Sequence, residues 1–130
     1  MRHAFIFSLS LCFALPAAAE RLPPDECRQV AARLNADLPQ QLSSHSILES
    51  VACVQGKSKP RLVYRNKVLA DIRKPPPRVI ERMKAEQRDA WCKDPAQRSL
   101  LAMLDVSYAY YDKSNRYLGA LTHRIGDCGQ

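Results

Sequence analysis

The sequence predicts a small exported α+β domain stapled by disulfides, and three observations carry that prediction. An apolar run opens the chain behind a short basic start. Four cysteines remain after it. The hydrophobic period then switches between about 3.6 and 2 along the rest. The order read from those periods is α-β-β-α-α-β-β, a four-stranded, mainly antiparallel sheet with helices packed on it.

Met1-Arg2-His3 supplies the positive start and Ala4 to Leu15 the apolar run. Pro16-Ala17-Ala18-Ala19 adds a helix break and small residues at the −3 and −1 positions. That is the layout of a secretory signal peptide over residues 1–19, cleaved before Glu20. Its apolar run falls short of the roughly 20 residues that span a bilayer, and no later stretch qualifies, so no transmembrane segment is expected in the mature chain. Cys12 follows Leu11, where lipid attachment would want a small residue, so standard cleavage is favoured. Residues 20–130 then form one domain, located in the periplasm or secreted.

Leu22-Pro23-Pro24-Asp25-Glu26 opens the first helix, with proline and acids both favoured in a first turn. Cys27, Val30, Ala31 and Leu34 recur at helical spacing as its buried stripe, and Pro39 ends it. Gln40 to Ser46 reads as loop. From Ile47 the period becomes two, the turn Gln55 to Pro60 follows, and Arg61 to Arg65 returns as the second strand of a hairpin. Pro75-Pro76-Pro77 is a stiff linker leading into a helix from Arg78 to Asp89, with Ala90 and Trp91 following on its apolar side. Asp94-Pro95-Ala96-Gln97 starts a third helix whose stripe is Leu100, Leu101 and Leu104. Val106 to Tyr111 and Tyr117 to Ile125 make the second hairpin across the turn Asp112 to Arg116.

In an exported chain the even set Cys27, Cys53, Cys92 and Cys128 reads as two disulfides. Three pairings exist. Cys27–Cys53 with Cys92–Cys128 is preferred, because each bridge then ties a helix to a strand of a neighbouring hairpin. No Cys-x-x-Cys pair suggests redox work and no short ligand spacing suggests zinc, so neither a metal nor another cofactor is expected.

The formal net charge is +7, a basic protein, and the excess is concentrated. Lys57 to Arg88 holds eleven basic residues against three acidic ones. Such a segment can meet an anionic envelope or host surface or an acidic protein. Arg73, Lys74 and Arg78, held beside the proline run, are its candidate contact residues. Tyr64 is the one aromatic of the segment, and no RNA-binding or zinc-finger motif accompanies it, which argues against a nucleic-acid partner. Tyr111 and Tyr117 flank the second hairpin turn and are candidate recognition aromatics, whereas Tyr108 and Tyr110 share a strand face with Val106 and read as packed. His45 and His123 lie apart, no Gly-x-Ser-x-Gly turn exists and the acids are scattered, so no catalytic residues are assigned.

The pattern Trp91-Cys92, Asp94-Pro95, Arg98, Leu100-Leu101, Asp105-Val106-Ser107-Tyr108-Ala109-Tyr110-Tyr111-Asp112 and Cys128 resembles the quorum-sensing-regulated virulence factor family of small exported proteobacterial proteins. The hairpin from Ser46 to Tyr64 is compatible with it. The resemblance implies a secreted or periplasmic α+β protein with a virulence-associated role, and supplies no active site to map. The reading is therefore an exported, non-enzymatic binding or interaction module with an unidentified protein or anionic surface as partner. A periplasmic inhibitor or immunity protein is the alternative, and a small hydrolase comes third.

Overall fold

The computed structural model describes residues 21–71, 73 and 75–129. The predicted signal peptide, residues 1–19, lies outside the described residues, and so does Lys74 of the cationic group.

Helix α1, Pro24–Asn35, starts as the sequence indicates, with proline at its first position and Asp25 and Glu26 in its first turn. Cys27 and Ala31 of its stripe are buried, but Leu34, expected beside them, is exposed. After the cis Leu38–Pro39 peptide come β1 (Gln40–Ser43), β2 (Ser46–Val54) and β3 (Arg61–Val68). Helices α2 (Pro77–Lys93) and α3 (Pro95–Met103) follow, then β4 (Asp105–Tyr111), β5 (Tyr117–His123) and a closing 3-10 turn, Ile125–Cys128.

Two expectations need correcting. The sheet has five strands in the order β1-β2-β3-β4-β5, not four, so the chain order is α-β-β-β-α-α-β-β. The added strand occupies Gln40–Ser43, read above as loop. All four of its residues are exposed, so it carries no buried alternation, and it exists through pairing of Gln40 with Leu48 and Gln41 with Ile47. The sheet is also mixed. β3 and β4 run parallel from Arg61↔Asp105 to Lys67↔Tyr111, while the other three neighbouring pairs are antiparallel. Parallel neighbours need a crossover, and α2 with α3 provides it by carrying the chain back to the starting end of β3.

Beyond Leu48 strand β2 has no β1 partner, and α1 finishes its edge. The Asn35 side chain donates to the Val51 carbonyl at 2.6 Å and accepts from the Val51 N–H at 2.8 Å. One amide thus replaces a missing strand residue and locks α1 over β2. The core lies between helices and sheet, where α1 (Cys27, Ala31), β2 (Val51), β3 (Leu62), α2 (Trp91), α3 (Leu101) and β4 (Val106) meet, with Leu104 just beyond α3. Disulfides join Cys27 to Cys53 and Cys92 to Cys128, with Cα separations of 5.8 and 5.4 Å. The first ties α1 to β2. The second ties α2 to the 3-10 turn rather than to a strand, because β5 ends at His123.

The turn between β4 and β5 is organised by Asp112, whose side chain is fully buried. Its Oδ1 accepts from the N–H groups of Ser114 and Arg116, and its Oδ2 from Arg116 Nε at 2.8 Å. Asn115, with φ of 67°, takes the left-handed position that asparagine tolerates. Burial pushes the Asp112 carboxyl up, but the hydrogen bonds and charge of Arg116 and the Ser114 N–H outweigh it and hold it below the usual 3.8. A carboxylate depressed in the folded state stabilises fully above its unfolded pKa, and loses that contribution as pH falls through the folded value. Asp112→Asn should therefore flatten the acid limb of a melting-temperature profile recorded from about pH 5 down to about pH 2. Parallel acid limbs in variant and parent would assign the loss to other carboxylates.

Candidate functional site

Strand alternation divides the sheet into two faces. Leu62, Tyr64, Asn66 and Val68 of β3, with Val106, Tyr108 and Tyr110 of β4, share the face that the helices cover. Arg61, Arg65, Tyr111 and Ala109 belong to the other, on which no helix packs among the described residues.

On the helix-covered face, α2 and β1 leave a groove floored by β3 and β4. One compartment, of 260 Å³, is lined by Leu42, Asn66, Gln87, Trp91, Tyr108 and Tyr110 among others. A second, of 170 Å³, is bounded by Val68, Pro75, Val79, Ile80, Met83, Leu118 and the shared Tyr110. Gly119 shapes this end: its φ of +146°, opposite the bulge at Tyr110, is one that side chains rarely adopt, and Ile80 packs over it. Leu42 is 54% exposed at the groove, an apolar side chain left in water.

The polar atoms of the groove are tied to one another. Trp91 Nε1 donates to the Tyr108 hydroxyl at 2.8 Å, and Gln87 Nε2 donates to the Tyr110 hydroxyl at 2.8 Å. His123 Nε2 meets Gln87 Oε1 at 2.9 Å, which assigns the proton to that nitrogen. Burial pushes the Tyr64, Tyr108 and Tyr110 phenols up, Tyr108 to about 12. Burial, with Lys84 and Arg88 nearby, pushes the His123 imidazole down against the opposing pull of Asp127. At neutral pH the groove therefore holds neutral rings, with Trp91, Gln87, Tyr108 and Tyr110 hydrogen-bonded among themselves and the buried His123 Nδ1 left without a partner, an arrangement suited to binding apolar groups.

The residues singled out in the sequence fall in different places. Arg73 and Arg78 are exposed on either side of Pro75, which lines the apolar compartment. Tyr111 and Tyr117 do not reach the groove. Their rings lie 5.5 Å apart on the helix-free side, with the Arg65 guanidinium 3.6 Å above Tyr111. Ser44 and His45 share a 2.8 Å hydrogen bond on the exposed β1–β2 turn. No cluster of three or more metal-ligating side chains occurs among the described residues, and no described helix is long and apolar enough to cross a membrane. Gln87 was missed in the sequence. It had a signal: a polar residue at the centre of the stripe Met83–Gln87–Trp91 must find partners once buried.

No protein-family model matches the chain and no curated protein sequence matches it, so the family resemblance rests on the residue pattern alone. Solved structures do share the fold. A Pseudomonas aeruginosa protein described as a "putative secreted protein" superposes with a TM-score of 0.62 at 19% identity, over 81% of this chain and 91% of that one. A pilotin from the Vibrio vulnificus type 2 secretion system gives 0.61 at 13% identity, over 82% of this chain and 92% of its own. Both are bacterial, one named as secreted and the other as part of a secretion system, and neither is named as an enzyme.

Proposed function

We propose that this chain is an exported, non-enzymatic interaction module, released by cleavage after Ala19, that holds an apolar segment of an envelope protein in the groove along α2. The observation that carries this reading is the groove itself. Val68, Val79, Ile80, Met83 and Leu118 line one end, and the phenol that would disturb it is already bonded to Gln87. An amphipathic helix laid into such a groove buries its apolar stripe against these side chains. Arg73 and Arg78 beside Pro75 would meet acidic residues on the segment's polar side, which gives the concentrated basic charge a role. The disulfides support an oxidising compartment, and the likeness to a pilotin and to a protein named as secreted supports a place in the export apparatus or its products.

A photo-crosslinking amino acid placed at Met83 in exporting cells should give one dominant protein adduct, while the same group at the exposed Glu81 should not. Met83→Glu, which sets a charge against the bound apolar segment, should weaken binding of that partner by about tenfold or more. Equal adducts from both positions would sink the groove. An adduct formed only from Tyr117, with the Tyr117→Ala variant unable to bind, would move the partner to the helix-free face.

A further inference from the structure

The groove lies toward the C-terminal ends of β3 and β4, and a second pocket lies at their starts. Lys57 and Ser58 come from the β2–β3 loop, Arg61 opens β3, Asp105 opens β4 and Arg124 follows β5, and together they line a cavity of 370 Å³. Arg61 Nε is buried there without a hydrogen-bond partner. A buried guanidinium donor left unpaired is costly, and native structures leave few such atoms without a reason. Asp105, the one carboxylate of the lining, is buried and its Oδ2 is 3.5 Å from Arg124 Nε. Three cations against one carboxylate leave the lining with an excess of two positive charges.

We propose that this pocket binds a phosphate group. A phosphate monoester carries roughly −1.5 to −2 at neutral pH, which matches that excess, and it brings the acceptor oxygens that Arg61 Nε lacks. Lys57, Arg61 and Arg124 supply the charge-assisted hydrogen bonds and Ser58 a hydroxyl. Two of these cations, Lys57 and Arg61, belong to the basic segment read from the sequence. Arg124 reaches them only because β4 and β5 place it there. The site shares no lining residue with the groove and does not depend on the partner proposed for it.

The test uses the mature protein at low salt with two probes, inorganic phosphate followed by calorimetry and backbone NMR, and phosphatidylcholine vesicles containing phosphatidic acid followed by co-sedimentation. Inorganic phosphate should bind saturably at one site, shifting the amides of Ser58, Arg61 and Arg124. Arg61→Gln should weaken it by about tenfold or more while the melting temperature holds, since the Nε–H it removes has no partner in the folded protein. Vesicle binding displaced by inorganic phosphate and lost in Arg61→Gln would identify a lipid headgroup as the source, and phosphate binding without vesicle binding a soluble phosphate. Absence of saturable binding to both probes overturns the proposal, as does binding that Arg61→Gln and Arg124→Gln leave unchanged.

Discussion

Replacing Cys27 and Cys53 together with alanine should lower the melting temperature of the mature protein by about 15 °C. The bridge closes a loop across a sequence separation of 26 residues. Constraining the unfolded chain over such a loop is worth about 3.5 kcal/mol. For a domain of this size one kcal/mol moves the midpoint by about 4 °C or more. Cys27 is also fully buried in the core, so truncating it removes packing as well as the cross-link. The effect should appear in a reversible thermal melt of the oxidised parent and the double variant. A shift below about 5 °C would mean that the Asn35 clamp on Val51 alone keeps α1 seated on the sheet.

Leu62→Ala should cost about 3–4 kcal/mol, enough to threaten folding at 37 °C in a domain of ordinary stability. Leu62 is fully buried and sits in β3 between Cys53 and Val106, under the helices that cover this face of the sheet. Its removal leaves a cavity that a strand hydrogen-bonded on both sides cannot close. Val54→Ala, on an exposed valine, should stay within about 0.5 kcal/mol in the same denaturant titration. Comparable costs at the two positions would contradict the placement of the core on the helix-covered face.

Much of this architecture was legible because local pattern and tertiary role agree. Cys27 and Ala31 repeat at helical spacing and are buried. Asp94 caps α3 through the Ala96 N–H, as its position before Pro95 suggested. The two hairpins show in alternation and turn chemistry, and with α1 and α2 placed, the favoured cysteine pairs fall within reach. What escaped was set by distant partners. β1 is polar and exposed, so only the free edge of β2 makes it a strand. The parallel contact of β3 with β4 depends on where two helices return the chain, which no local pattern encodes. The stripe rule also overreached at Leu34, since the sheet beneath α1 reaches Cys27 and Ala31 but leaves Leu34 in solvent. The groove needs Leu42, Gln87 and Tyr110 from three elements, and the phosphate pocket joins Arg61 to Arg124 across the sheet, so neither forms a contiguous motif.

The connectivity of the two bridges bears on how the chain is made. In sequence order the four bridged cysteines pair first with second and third with fourth, so the loops neither nest nor cross. A chain threaded across a membrane from its N-terminus presents Cys27 and Cys53 to an oxidant before Cys92 arrives. Joining thiols in order of arrival then yields the native pairs directly, without the slow exchange that mispaired chains require. The protein should accordingly mature in cells that have a thiol oxidase but no disulfide isomerase.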